Sequence, residues 1–520
     1  MSFTGKLYPF QEEAVDKMIE QQKLLVAYEM GLGKTVIAIA AAEWVIDEKA
    51  DARGFVICPA SIKHQWRRMI DEFTDGEAHS IVVGGLPRQR EQQYRNYKAA
   101  NAEYLIFNPE QMVNDWDVVS KLPRDFIIAD EVTWAKNFRP KRSKKLKRLE
   151  AEYHWGLTGQ PVENRAEEVY SIMQWINPDV LGDYERFDRA FVVRNHWGGV
   201  RFYRNLPTLH KLLSRHMTRH TREEVKDQLP AVVEESVLVD FDIAGAKLYR
   251  TITHELLQDL EEAANNFGSR FTLWGFYHGQ DESGMEMRGR IMSKLVNLRM
   301  LCDHPHLLRI SASYFRDGNK KERTGSAYAD ELEDRGLLDL HHSPKLDATL
   351  DLIGEILQAN QKNKIVLFSY FTDMLEILAK ATNMMTKNVK FTGKMTAEAR
   401  DRSKEQFASD PSTRLFLSSD AGGVGLDLPM ANFLISYDLP WSGGAYAQRR
   451  SRIIRLSSKF PEVTVISMLM SDSVEERQYD LLEQKQKIGD AVIDGKGINT
   501  KGRLNLDLQS LGEFLRERVV

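Results

Sequence analysis

Apolar positions along this chain follow two spacings. Short uninterrupted apolar runs alternate with longer stretches in which apolar residues recur every three or four positions. A run that is apolar throughout is buried on both faces, as a strand of a parallel sheet is, and the stretches between read as helices. One set of runs covers residues 24–28, 54–58, 104–108, 126–129 and 154–158. A second covers 364–369, 389–392, 415–418, 433–437 and 463–468. The pattern therefore predicts an α/β chain with two parallel-sheet lobes. Between the sets, residues 245–308 are mostly helical, and 316–335 is dominated by Lys, Glu, Asp and Gly, which makes it a candidate linker. The expected division is a first lobe at 1–230, a helical insertion and linker at 231–335, a second lobe at 336–500 and a C-terminal tail at 501–520.

At 520 residues the chain is long enough for two lobes that each bury a full core. The formal net charge of -4 gives no global basic signature, so any contact with nucleic acid must come from local Lys and Arg clusters. Two cysteines, Cys58 and Cys302, admit no disulfide framework beyond one pair and, with scattered histidines, fall short of zinc-site spacings. They read as buried, inert thiols. The most apolar run, 36–46, is interrupted by Glu43, and no basic-then-apolar leader opens the chain. The expectation is a cytoplasmic protein with no membrane span.

Chemistry enters at Tyr28-Glu29-Met30-Gly31-Leu32-Gly33-Lys34-Thr35, which follows a strand and opens an alanine-rich helix. Glycines let backbone amides wrap phosphates, and a helix N-terminus favours an anion. Lys34 can reach the outer phosphates and Thr35 can ligate magnesium. Tyr28 stands where the generic pattern has its first glycine. Asp130 and Glu131 end a later apolar run, the setting in which one carboxylate holds magnesium and the other positions water. Positive charge for the transferring phosphate is expected from Arg452 and Arg455, which follow Gln448 in the second lobe.

Taken in order, these motifs resemble the SWI/SNF-type ATPases of helicase superfamily two over nearly the whole chain. Leu7-Tyr8-Pro9-Phe10-Gln11 resembles the adenine-reading segment, implying that Gln11 contacts the base. Glu29 to Thr35, including Met30, Gly31, Leu32, Gly33 and Lys34, matches the family's phosphate loop. Phe55 to Ser61 with Gln65-Trp66 resembles motif Ia, whose loop touches a nucleic-acid backbone in the family. Asp130-Glu131 with Lys136-Asn137 resembles motif II, and Leu157-Thr158-Gly159-Gln160 with Glu163-Asn164 resembles motif III. Arg219 to Val225 with Leu229-Pro230 resembles the close of the first lobe, and Leu298-Arg299 with His304-Pro305 the entry to the second. Ser418 to Leu428 with Asp438 to Trp441 resembles motif V, Gln448 to Arg455 motif VI, and Ser473 to Arg477 with Lys485 the closing helix. The family usually has Asp at Tyr28, His at Thr133, Thr at Gln160, and Gly at Ser451 and Ser457. These departures spare the catalytic groups, so hydrolysis is expected to survive. Thr133 and Gln160 together are expected to replace the family's contact between motifs II and III.

The resemblance implies two RecA-like lobes with ATP and Mg2+ between them. It also implies a nucleic-acid-stimulated motor that moves on double-stranded DNA without extensive strand separation. Alternatives are a strand-separating helicase that remodels forked or branched DNA, and a non-hydrolysing ATP-gated clamp. The implied catalytic set is Asp130, Glu131, Gln448, Arg452 and Arg455, with Thr35 and Asp130 on the metal. Basic clusters at 141–148 and 215–222 are candidates for phosphate contact, against a solvated helix face for the first. The aromatic stretch 267–277 reads as core, with a stacking surface as its alternative. A monomeric, compact bacterial or phage-encoded member is expected.

Overall fold

A computed structural model describes residues 3–99, 102–137, 140–162, 165–194, 200–267, 282–318, 325–420, 426–480, 482 and 493. Its strands are β1 (Lys23–Val26), β2 (Gly54–Ile57), β3 (Ser80–Val82), β4 (Tyr104–Phe107), β5 (Phe126–Ala129), β6 (Tyr153–Leu157), β7 (Val192–Arg194), β8 (Val200–Tyr203), β9 (Met217–Thr218), β10 (Ala231–Val239), β11 (Ile365–Phe368), β12 (Lys387–Phe391), β13 (Thr413–Ser418), β14 (Phe433–Ser436) and β15 (Glu462–Met470). One sheet runs β3-β4-β2-β5-β6-β1-β9 and the other β10-β15-β14-β11-β13-β12, with parallel pairing throughout. Strands β7 and β8 form a separate antiparallel pair.

Apolar runs become central strands because both faces are covered. In β2, Phe55 and Ile57 enter one core while Val56 enters the other, and β5 divides the same way, Ile127 and Ala129 against Phe126 and Ile128. The second sheet repeats this, with Ile365 and Leu367 on one face and Val366 and Phe368 on the other. All ten predicted runs are strands of these two sheets.

The stretch 231–335, expected to be helical, opens with a strand. β10 pairs with β15 along its whole length at the edge of the second sheet. Its sequence carries Glu234, Glu235 and Ser236 at the centre and is largely exposed, so it lacks the apolar signature of a central strand. The helices Ile243–Phe267 and Glu282–Asp303 then pack around Leu256, Ile291 and Leu298. Part of the candidate linker is also built in: the helix Ala327–Asp334 buries Tyr328 and Leu332, and Arg316 pairs with Glu333 at 3.0 Å and with Asp330. Most of the aromatic stretch 267–277 lies outside the described residues.

Parallel strands deliver their carboxyl ends to one edge, and this positions the site. The ends of β1, β2, β5 and β6 lead into Tyr28-Glu29, Cys58-Pro59, Asp130-Glu131 and Thr158-Gly159 respectively.

Candidate nucleotide site between two lobes

Gly31 and Gly33 have φ of 92° and 80°, so the loop after β1 turns through conformations that side chains disfavour before the helix Lys34–Glu48 begins. Lys34 Nζ donates to the carbonyls of Tyr28 at 2.8 Å and Glu29 at 3.3 Å. Burial pulls its pKa down to about 8, against the pull of Glu131 and Asp130 in the opposite direction. Thr35 is half-buried in the first turn. Gln11 lies over the loop, its Nε2 donating to the Leu32 carbonyl at 3.1 Å while its Oε1 accepts from Tyr8 N at 3.0 Å.

The other side of the loop is held by arginines. Arg219 pairs with Glu29 at 3.2 Å and donates to the Ala27 carbonyl at 2.8 Å, and Arg222 donates twice to the Met30 carbonyl, at 3.1 and 2.9 Å. Two of the three arginines in the basic cluster 215–222 are thus turned inward. Charge alone carries no information about which way a basic residue points, and here two arginines clamp a loop. The first cluster is partly committed too: Lys145 and Arg148 cover the Trp116 ring at 4.3 and 5.7 Å, and Lys147 donates to Ser171 at 3.1 Å.

Asp130 accepts from Trp66 Nε1 at 2.8 Å on one oxygen and from the Glu131 backbone N–H at 2.8 Å on the other. Burial raises its pKa, opposed first by the Trp66 bond and then by Lys34. Glu131 sits at φ 45°, a left-handed conformation that is costly for a side chain and concentrates at functional sites. Its Oε2 is buried with no hydrogen-bond partner in the described structure, and burial raises its pKa against Lys34, Arg452 and Arg455. Carboxylates and a hydroxyl in a helix's first turn are hard-oxygen donors of the kind magnesium takes, and Asp130 and Thr35 are the groups that could hold it.

The second lobe supplies cations from the segment after the helix Gly443–Arg450. Arg452 is 6% exposed, its pKa pulled to about 10 by burial and by Arg455, and it donates to the Leu426 carbonyl at 3.2 Å. Arg455 pairs with Asp427. Gln448 is half-buried, and its backbone carbonyl accepts from Ser451 Oγ at 2.7 Å. The lobes meet at the phosphate loop itself. A Cβ added to Gly31 would lie 2.7 Å from the Ile454 carbonyl oxygen, and Ser451 Oγ approaches Met30 Sδ at 3.4 Å.

Arg449, which follows Gln448, has a different task. It spans Asp420 at 2.6 and 2.9 Å and Asp438 at 3.2 Å, tying the ends of β13 and β14 to this helix. Tyr28 donates its hydroxyl to the Phe10 carbonyl at 2.8 Å and packs against Phe10 and His220. Thr133 donates to the Glu131 carbonyl at 3.3 Å, and no hydrogen bond joins it to Gln160 among the described residues, contrary to the expected replacement contact. Gln160 instead lies toward the second lobe, its Nε2 3.8 Å from where a Cβ on Gly443 would stand. Glu163, Asn164 and residues 421–425 of motifs III and V lie outside the described residues. The contact sequence reasoning missed is Trp66, whose indole serves Asp130; the only signal available was a tryptophan shortly after a strand.

Two parallel-sheet lobes, one bringing a phosphate loop and an acidic pair and the other bringing arginines to the same cleft, define a helicase-type nucleotide-binding core. The chain belongs to the SNF2-related domain family, whose model matches residues 10–307, and the helicase conserved C-terminal domain matches residues 345–457. It is 26% identical over 525 residues to YwqA of Bacillus subtilis, covering 99% of this chain and 51% of that protein. It is 25% identical over 508 residues to the DNA repair and recombination protein RAD54B of Mus musculus, covering 90% of this chain and 53% of that one. The chain thus spans about half the length of these curated relatives. Among solved structures it is similar to the Sulfolobus solfataricus SWI2/SNF2 ATPase core in complex with dsDNA, at 23% identity and a TM-score of 0.42, covering 95% of this chain and 94% of that one. No described helix is long and apolar enough to cross a membrane.

Proposed function

We propose that this chain is a DNA-dependent ATPase that translocates on double-stranded DNA. The observation that carries the reading is the meeting of the two lobes at the phosphate loop, where the Ile454 carbonyl oxygen lies 2.7 Å and Arg455 Cδ 3.4 Å from where a Cβ on Gly31 would stand. Such convergence makes hydrolysis depend on lobe closure.

In this reading Lys34 and the loop amides hold the phosphates, and Gln11 addresses the base. Glu131 orients the attacking water and takes its proton. Arg452 and Arg455 stabilise the charge that develops on the transferring phosphoryl group. Thr35 and Asp130 would hold magnesium, which would supply positive charge to offset that of the phosphates. Loss of the γ-phosphate removes the charge that draws the arginines inward, the lobes relax, and the cycle moves each lobe along the track. A track of this kind is gripped through phosphates, without base readout.

The test is steady-state ATP turnover with no nucleic acid, duplex DNA, single-stranded DNA, forked DNA and RNA, with Glu131→Gln as the blank. Strong stimulation by plain duplex, absent from the variant, supports the reading. Preference for forks or single strands transfers it to remodelling or unwinding, and turnover equal to the blank throughout overturns it.

A further inference from the structure

Neighbouring residues of one helix hold both halves of the proposed ATP site. The helix Lys63–Phe73 follows β2 and buries Trp66 and Ile70 in the first lobe's core, which fixes its rotation. Trp66 thereby points its indole N–H at Asp130, at 2.8 Å. Gln65, one position earlier, emerges on the cleft side and donates its Nε2 to Asp427 Oδ2 of the second lobe at 3.3 Å. The other oxygen of the same carboxylate, Asp427 Oδ1, pairs with Arg455. Arg455 in turn lies against the phosphate loop, its Cδ 3.4 Å from where a Cβ on Gly31 would stand.

We propose that Gln65 and Asp427 form a closure latch: Asp427 is a positioning residue for Arg455, and Gln65 lets it do so only when the lobes are closed. The chemistry of the three groups supports this division. An aspartate between a guanidinium and a carboxamide has each oxygen assigned, so the guanidinium is held at one rotation about its side chain. The carboxamide is uncharged, so its bond is readily broken and remade across a moving cleft, whereas the ion pair stays within one lobe. With the lobes apart, Asp427 keeps Arg455 but loses the contact that fixes its own carboxylate plane. Closure then aligns Arg455 at the same moment as it brings Asp130 and Arg455 to a common centre, because Gln65 and Trp66 ride on one rigid helix. Substrate turnover becomes conditional on closure through geometry alone.

This inference rests on the ATP-site reading above, and its test separates the two. Gln65→Ala, Asp427→Asn and the double variant are compared with the wild-type chain and with Lys34→Ala, using ATP turnover on duplex DNA and a donor–acceptor fluorophore pair placed on the two lobes. Gln65→Ala is expected to lower duplex-stimulated kcat about tenfold, the size of one hydrogen bond to a charged group, while the KM for ATP changes less than about twofold. It should also shift the fluorophore pair toward the open distance when ATP and duplex are present. The double variant should lose no more than Asp427→Asn alone, since both changes break one device. Losses that multiply, a rise in KM that accounts for the defect, or an unchanged fluorophore distance in Gln65→Ala each overturn the latch. Wild type and Lys34→Ala turning over alike would overturn the ATP reading instead, and the fluorophore distance would still decide the latch.

Discussion

Trp66→Phe removes one donor from Asp130 and leaves a ring in the core. Trp66 is 1% exposed, and its indole N–H donates to Asp130 Oδ2 at 2.8 Å. Taking away a hydrogen bond to a buried ionised group costs about 1.5–3 kcal/mol. That cost falls on the carboxylate form of Asp130 and spares the protonated form. Burial already holds this carboxyl above its ordinary range, and the Trp66 bond is the foremost effect opposing burial. Without the indole the carboxyl keeps its proton to higher pH, and a protonated acid is a poor ligand for magnesium. At tenfold per 1.4 kcal/mol, half-maximal turnover should need roughly 10- to 100-fold more magnesium at mildly acidic pH. The increase should shrink as pH rises, and the acid limb of the pH profile should move upward. The assay is ATP turnover against magnesium concentration across a pH series, with denaturant unfolding run alongside. A stability loss from the smaller ring lowers the folded fraction without changing the magnesium midpoint, so the two effects separate. Magnesium midpoints and an acid limb identical to wild type would refute the assignment of Trp66 to Asp130.

Four further outcomes follow from the same geometry. Burial pulls the pKa of Lys34 down to about 8, and a bound triphosphate would favour its charged form. Above about pH 8 nucleotide binding must therefore take up a proton and weaken as pH rises, by at most about tenfold per unit, which calorimetry in buffers of different ionisation enthalpy detects. Gly31→Ala puts a side chain at φ 92° and a Cβ 2.7 Å from the Ile454 carbonyl, so duplex-stimulated turnover should fall about tenfold or more, strain at such positions being about 1–3 kcal/mol, and unaltered turnover would contradict the lobe contact. Lys345, fully buried between Asp303 at 3.0 Å and Glu475 at 2.7 Å, should cost about 3–5 kcal/mol when changed to Met, read by denaturant unfolding. Gln160→Ala should lower duplex stimulation more than basal turnover, whereas Thr133→Ala should act independently of it, so that their effects multiply; a non-multiplying pair would restore the direct contact that the structure lacks.

What the chain's pattern made legible depends on where the information lies. Central strands are legible because burial on both faces demands apolar residues at successive positions, and the phosphate loop because glycine, lysine and threonine must fall at fixed spacing. Strand β10 is illegible on the same grounds: an exposed edge strand is free to carry Glu234, Glu235 and Ser236. Trp66 and Asp130 stand 64 residues apart and meet only because β2 and β5 are neighbours in the sheet, a fact of strand order that no local spacing encodes. Arg219 and Arg222 are hard to read from sequence for the complementary reason. A basic cluster has the same composition whether it faces a polyanion or a carbonyl, and the fold turns these two toward Glu29 and Met30.

The departure at Tyr28 changes the charge of the site and leaves its scaffold intact. The phenol holds the Phe10 carbonyl, so the segment that leads to Gln11 stays tied to β1, and the Tyr28 carbonyl still receives Lys34. The loop's outer wall is independent of this residue, because Glu29, Arg219 and Arg222 hold it. What differs is the field. Around the loop, Lys34, Arg219, Arg222, Arg452 and Arg455 exceed Glu29, Asp130, Glu131 and Asp427 by one formal charge, and an aspartate at position 28 would cancel that excess. Burial already lowers the pKa of Lys34, Arg222 and Arg452, so these cations are held at a cost that an arriving polyanion relieves. On the proposed reading, a neutral residue at position 28 leaves more of that relief to the triphosphate, which couples nucleotide binding to the drawing together of the two lobes.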